Sequence, residues 1–119
     1  MGYYTVYELE AYENGKRITK EREREVCAFA RECSEITSYM DIYKFEELSS
    51  DSIKWYSHDQ DLLELSKHFP SVIFELTGEG EDHDDNWIAY YCNGKMEYLH
   101  GHIVYDEPTS DFAKEIYWE

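Results

Sequence analysis

The sequence predicts an α+β fold, a two-layer sandwich of ferredoxin-like type with a mainly antiparallel sheet and two helices on one face. Three observations predict it. The hydrophobic period alternates between strand-like and helix-like along the chain, in the order β-α-β-α-β-β-β. Asn93-Gly94 stands between two alternating runs, the strongest short hairpin signal there is. Each helical pattern is flanked by strand patterns, the order in which right-handed crossovers lay helices on one face of a sheet.

The first strand is predicted over Tyr3 to Tyr12, rich in Tyr, Val and Thr. Tyr7, Leu9 and Ala11 share one face of it; Tyr4, Val6, Glu8 and Glu10 share the other. Asn14-Gly15 supplies a turn. Thr19 is then placed to cap a helix, with Glu21 and Glu23 in a first turn where the helix dipole favours acids. Val26, Phe29, Ala30 and Cys33 follow the spacing of one buried stripe. The run KEREREV on the other faces nets near zero and supplies its own i,i+4 partners, so it reads as a solvated helix face and not as a nucleic-acid patch.

Residues 35–51 fit neither period, although they carry Met40, Ile42, Tyr43, Phe45 and Leu48; a short helix or an ordered loop is expected there. Ile53 to Tyr56 reads as a short strand. Ser57-x-x-Gln60 has the form of a capping box. The helix it opens aligns Leu62, Leu65 and Phe69, with Leu63 beside them, and Pro70 ends it. Val72, Phe74 and Leu76 alternate as a strand with one buried face. An acidic turn, Gly78 to Asp85, is expected next, its glycines chosen to let the chain reverse. Two strands follow, Trp87 to Cys92 and Lys95 to Tyr105. Pro108 breaks the last of them, and residues 110–119 form a tail with a short helix docked by Phe112, Ile116 and Tyr117. With 119 residues, no internal repeat and no linker, the expectation is one acidic domain over residues 1–119.

Charge is the strongest compositional signal. The chain carries 11 basic and 27 acidic residues, a net −16. Residues 1–31 hold six of each sign; residues 32–119 hold five lysines, no arginine and 21 carboxylates, so the whole imbalance lies there. Such a surface repels phosphate backbones and anionic lipids and attracts basic protein surfaces. It therefore argues against direct nucleic-acid binding and against a membrane partner. The N-terminus lacks the basic-then-apolar pattern of a signal peptide, and Val6 occupies the position where a myristoylation motif needs Ser or Thr. A cytoplasmic protein made without processing is expected. Cys27, Cys33 and Cys92 are an odd, sparse set and read as reduced thiols.

Candidate sites follow from this surface. The clustered carboxylates Glu79, Glu81, Asp82, Asp84 and Asp85 are the first candidates for partner contact; their spacing is not that of an EF-hand loop. Tyr4, Val6, Tyr98 and His100 are expected on the open sheet face, where Tyr4 and Tyr98 would serve a protein partner or a homodimer. His100-x-His102 puts two imidazoles on one strand face, the right direction for a metal pair, with no third ligand evident beyond Cys92. His58 and Asp59 invite an acid–base reading, but capping explains that segment better. No nucleophile elbow, phosphate-cradling loop or HExxH motif is present, and no cofactor or enzymatic activity is expected.

Met1 to Thr5 with Tyr7 and Leu9 give MGYYT-x-Y-x-L. Lys54, Trp55, Tyr56, His58, Asp61 and Leu62 give KWY-x-H-x-x-D-L. Leu65 to Lys67, Phe69, Pro70, Val72, Phe74, Leu76 and Gly78 to Glu81 give LSK-x-FP-x-V-x-F-x-L-x-GEGE; Asp85, Trp87 and Asn93 to Lys95 complete the pattern. This pattern resembles a family of small proteins of bacterial phages and prophages. It covers the first strand and roughly residues 53–105, and it leaves out 35–51, which reads as a variable insertion. The resemblance implies phage or prophage origin, a ferredoxin-like fold and an accessory role; it carries no established activity. Together with the charge it leads to a non-enzymatic module that binds the basic surface of a host nucleic-acid-handling or defence protein, as an anti-CRISPR or antirestriction inhibitor of nucleic-acid-mimic type would. A homo-oligomeric structural or regulatory protein is the alternative, and a metal-dependent enzyme a third.

Overall fold

Alternation along β1 (Thr5–Glu13) sets the layers: Thr5, Tyr7, Leu9 and Ala11 are buried, while Val6 and Glu8 are exposed. The structure, a computed structural model, describes residues 4–49, 52–81 and 85–101. After β1 come β2 (Lys16–Arg17), α1 (Lys20–Glu32), α2 (His58–His68), β3 (Val72–Gly80), β4 (Asn86–Cys92) and β5 (Lys95–His100). The strand order is β2-β1-β3-β4-β5, and every neighbouring pair is antiparallel. The described residues thus form an α+β protein with a five-stranded antiparallel sheet and two α-helices.

The ferredoxin-like arrangement is not what forms. β1 and β3, the long strands before and after the helical segment, lie next to each other and antiparallel, with only the short β2 between β1 and α1, so no βαβ crossover connects them. The physical reason lies at Ile53 to Tyr56. Only Ile53 pairs, through two reciprocal 2.9 Å bonds with Thr5. Trp55, fully buried, plugs the core instead of extending a strand. Both helices consequently fall within one long β1-to-β3 connection.

Local chemistry explains most boundaries. Asn14-Gly15 and Asn93-Gly94 all have positive φ (54° and 77°, 49° and 77°), as a tight hairpin whose twist matches its strands requires. The Thr19 hydroxyl accepts the Arg22 N–H at 3.1 Å and caps α1, which buries Val26, Cys27 and Ala30. The expected capping box of α2 does not form: Ser57 makes no side-chain cap bond, and its hydroxyl donates to Asp61 at 3.2 Å. The Leu62 and Leu65 stripe is fully buried, against Val72, Phe74 and Leu76 of β3 and Ala89 and Tyr91 of β4 in one core.

Within the unreadable stretch, the described residues 35–49 carry two 3-10 helices, at Ser38–Met40 and Phe45–Ser49. Met40, Ile42, Phe45 and Leu48 join the core, whereas Tyr43 stays outside beneath the Arg31 guanidinium, 4.0 Å from its ring centre. The second 3-10 helix packs along β1 beside β2. It covers a sheet edge that the two-residue β2 is too short to protect.

The predicted acidic turn starts too early. Gly78, Glu79 and Gly80 belong to β3, and the reversal is closed by Gly80 N–H donating to the Asp85 carbonyl at 2.8 Å. Gly78 is glycine for packing: it lies opposite Trp87, and a Cβ there would sit 2.2 Å from Trp87 Cε2. The stretch of the last predicted strand beyond Gly101, the Pro108 break and the 110–119 tail lie outside the described residues, as do Asp82, Asp84 and His102.

Candidate functional site

Pairing register decides what each face of the sheet presents. Residues directly opposite in an antiparallel pair point to the same side. Leu9, Leu76, Ala89 and Tyr98 form one such row across four strands, on the face that carries the core. On the other face Glu8, Thr77, Ile88 and Leu99 form one row, and Glu10, Glu75, Tyr90 and Glu97 the next. Val6 lies opposite Glu79. This outer face is therefore a field of carboxylates interrupted by aliphatic side chains: Val6, Ile73 and Leu99 are each more than 40 % exposed.

The expected grouping of Tyr4 and Val6 with Tyr98 and His100 does not hold. Tyr98 lies opposite Ala89 and His100 opposite Trp87, so both sit on the core face; Tyr98 packs on Trp87 at 5.7 Å between ring centres. Tyr4, just before β1, shares its alternation with Val6 and carries the Lys54 ammonium 4.7 Å from its ring centre. The error follows from counting each strand separately, because a face is defined only once strands are in register.

The acidic candidates divide in the same way. Glu79 is exposed on the outer face. Glu81 is also exposed, and its carboxylate accepts the Tyr4 N–H at 3.1 Å, tying the start of β1 to the end of β3. Asp85 keeps the parity of Trp87 and acts electrostatically on Tyr7 and Tyr98, on the core side. Among the described residues, these carboxylates do not form one patch, and no group of three or more His, Cys, Asp or Glu side chains converges as a metal site.

Within the outer field some carboxylates are satisfied internally. Glu10 and Glu75 lie directly opposite each other, a repulsive placement. Glu10 accepts from Tyr12 at 2.6 Å and Arg17 at 3.0 Å. Hydrogen bonding to Glu75 raises the Tyr90 phenol above its ordinary range, as the bond to Glu10 raises Tyr12. Glu8 and Glu79 are different: among the described residues neither pairs with a cation.

The acid–base reading of His58 and Asp59 meets an aromatic nest. The His58 ring stacks on Trp87 at 4.9 Å and 22°, and contacts Tyr7 and Trp55 edgewise or tilted. Its buried Nδ1 lies 2.9 Å from Asp59 without making a hydrogen bond, while Asp59 accepts the Tyr91 phenol. Burial raises the Tyr91 phenol strongly, Asp59 adding to it, and raises Tyr7 to about 12. Phenols held neutral in this way pack as core groups rather than shuttle protons.

Sequence reasoning missed Glu8, Glu75, Ile88, Leu99 and Glu97 as parts of one surface. Their alternation was visible; the pairing that brings them together was not. Comparison with protein-family models, with curated proteins and with solved structures finds no match to this chain. Among the described residues no helix is long and apolar enough to cross a membrane.

Proposed function

We propose that this chain is a non-enzymatic, acidic protein-binding module of phage or mobile-element origin, and that it inhibits a host nucleic-acid-handling or defence complex by occupying a basic surface meant for DNA or RNA. The single observation that carries the reading is the outer sheet face: Glu8, Glu10, Glu75, Glu79 and Glu97 stand among exposed aliphatic side chains on the side of the sheet opposite the helical core. Carboxylates two residues apart on a strand, such as Glu8 and Glu10, are spaced by about 7 Å, and neighbouring strands by about 4.8 Å. A flat array of negative charge at such spacings suits a surface built for phosphates. The net −16 adds a long-range field that steers basic partners toward it.

The test is capture from a nuclease-treated host lysate at two salt concentrations, with Glu75→Lys/Glu79→Lys beside the unaltered protein. Capture of a nucleic-acid-binding protein that weakens with salt and fails with the charge-reversed face supports the reading. Capture that ignores the reversal removes the face from it.

A second reading, a homo-oligomer, is favoured by Val6, Ile73 and Leu99 on the same face. Because Tyr4 and Tyr98 lie on different sides, an interface through this face would bury Tyr4 without Tyr98. Light scattering decides: a stable dimer that Leu99→Asp dissociates would favour the oligomer.

A further inference from the structure

The outer face contains a depression of about 490 Å³ whose lining includes Val6, Glu8, Thr77, Glu79, Ile88 and Leu99. Ile88 and Thr77 lie directly opposite each other, and Leu99 lies beyond Ile88 on the next strand. Val6 and Glu79 form the adjacent row, which makes Glu8 and Glu79 diagonal neighbours across β1 and β3, a separation of about 7–8 Å that is somewhat less between Cβ atoms.

We infer that this depression is an anchoring pocket for an arginine or lysine side chain of a protein partner. The inference rests on the reading of this face as a protein-binding surface and names the chemistry of its central contact. A long basic side chain has two parts with opposite needs, an aliphatic stem that prefers apolar surface and a head that needs an anion. The depression offers both at matching positions. Val6, Ile88 and Leu99 supply aliphatic surface of which Val6 and Leu99 remain 42 % and 48 % exposed. Glu8 and Glu79 supply the charge, and they differ from their neighbours in that neither pairs with a cation among the described residues. Glu10 already holds Arg17, and Glu75 already holds the Tyr90 phenol. An anionic or neutral side chain would meet two uncompensated carboxylates, so the pocket selects by sign as well as by shape. A guanidinium fits best, because its planar fork can bond both carboxylates at once.

The test uses an octa-arginine peptide as probe, with octa-norleucine and octa-glutamate as controls, and follows the methyl resonances of Val6, Ile88 and Leu99 in the full chain. The expected result is a saturable shift of those methyls with octa-arginine alone, and about tenfold weaker binding for Glu8→Gln/Glu79→Gln. The pair Glu21→Gln/Glu35→Gln removes two charges elsewhere and is expected to weaken binding far less. Equal loss in both pairs, or shifts confined to other parts of the chain, would overturn the pocket. The two levels separate cleanly. A captured lysate partner that is indifferent to Glu8→Gln/Glu79→Gln, with unmoved methyls, removes the pocket and leaves the protein-binding reading. Peptide seating without any basic lysate partner supports the pocket and removes that reading.

Discussion

Asp61 ties together three separate segments of this structure. It is 1 % exposed, and its carboxylate accepts from the Thr37 N–H, the Thr37 hydroxyl, the Trp55 indole N–H and the Ser57 hydroxyl. One buried acid thereby fastens the segment at Thr37, the Trp55 plug and the first turn of α2. Its carboxyl group tolerates burial because donors surround it. Replacement by Ala leaves buried donors unmatched at about 1–3 kcal/mol each, and Asp61→Ala is expected to lose about 3–5 kcal/mol in urea unfolding. A loss below about 1 kcal/mol would show that the network contributes little. Asp61 was not legible as a hub, because in sequence an acid in the first turn of a helix looks like a dipole partner. Cys27 makes a second prediction. Burial pushes its thiol up to about 12, against an unfolded value near 9. Between those values only the unfolded chain releases the proton, so this residue contributes stability below pH 9 that is lost as pH rises toward 12. In the folded protein at pH 8.5, iodoacetamide is expected to modify Cys33 and Cys92 well before Cys27, read by mass spectrometry of digests; equal rates would contradict the packing of α1.

The elements show where local signals sufficed. The first strand, both Asn-Gly turns, the start of the hairpin from β4 to β5 and the α1 stripe, with Val26 and Ala30 buried and Phe29 and Cys33 half-buried, all follow from nearest-neighbour rules. The two predicted helix caps separate in a testable way. Thr19 bonds the Arg22 N–H, whereas Ser57 bonds Asp61. Thr19→Ala is expected to lower stability by about 1 kcal/mol and to fray the start of α1 in amide exchange. Ser57→Ala should leave exchange at the start of α2 nearly unchanged, since no α2 amide depends on that hydroxyl; fraying there would restore the capping box. The stretch 35–51 stayed unreadable because its apolar residues serve a sheet edge and not a repeating face. Met40, Phe45 and Leu48 enter the core from 3-10 turns too short to display a period, and Ile42 from the segment between them.

At the scale of the whole molecule, charge is the dominant fact. A net −16 on 119 residues places the folded state under self-repulsion that expansion would relieve. Raising sodium chloride from 0.02 to 0.5 M shortens the screening length from about 20 Å to a few ångströms. The melting temperature is therefore expected to rise by several degrees over that range, and a fall would mean that internal ion pairs outweigh repulsion. The sequence by itself determined the α+β class, the buried faces of β1 and β3, the hairpin turns and the excess of acid in residues 32–119, because these depend on composition or on residues a few positions apart. Tertiary structure alone decided the strand order, the absence of a βαβ crossover, the sharing of Asp61 by three segments and the partition of Tyr4, Glu79, Asp85 and Tyr98 between two sides. Those depend on which strands pair and in what register, and a single residue's shift in register exchanges every face that a sequence pattern can only number.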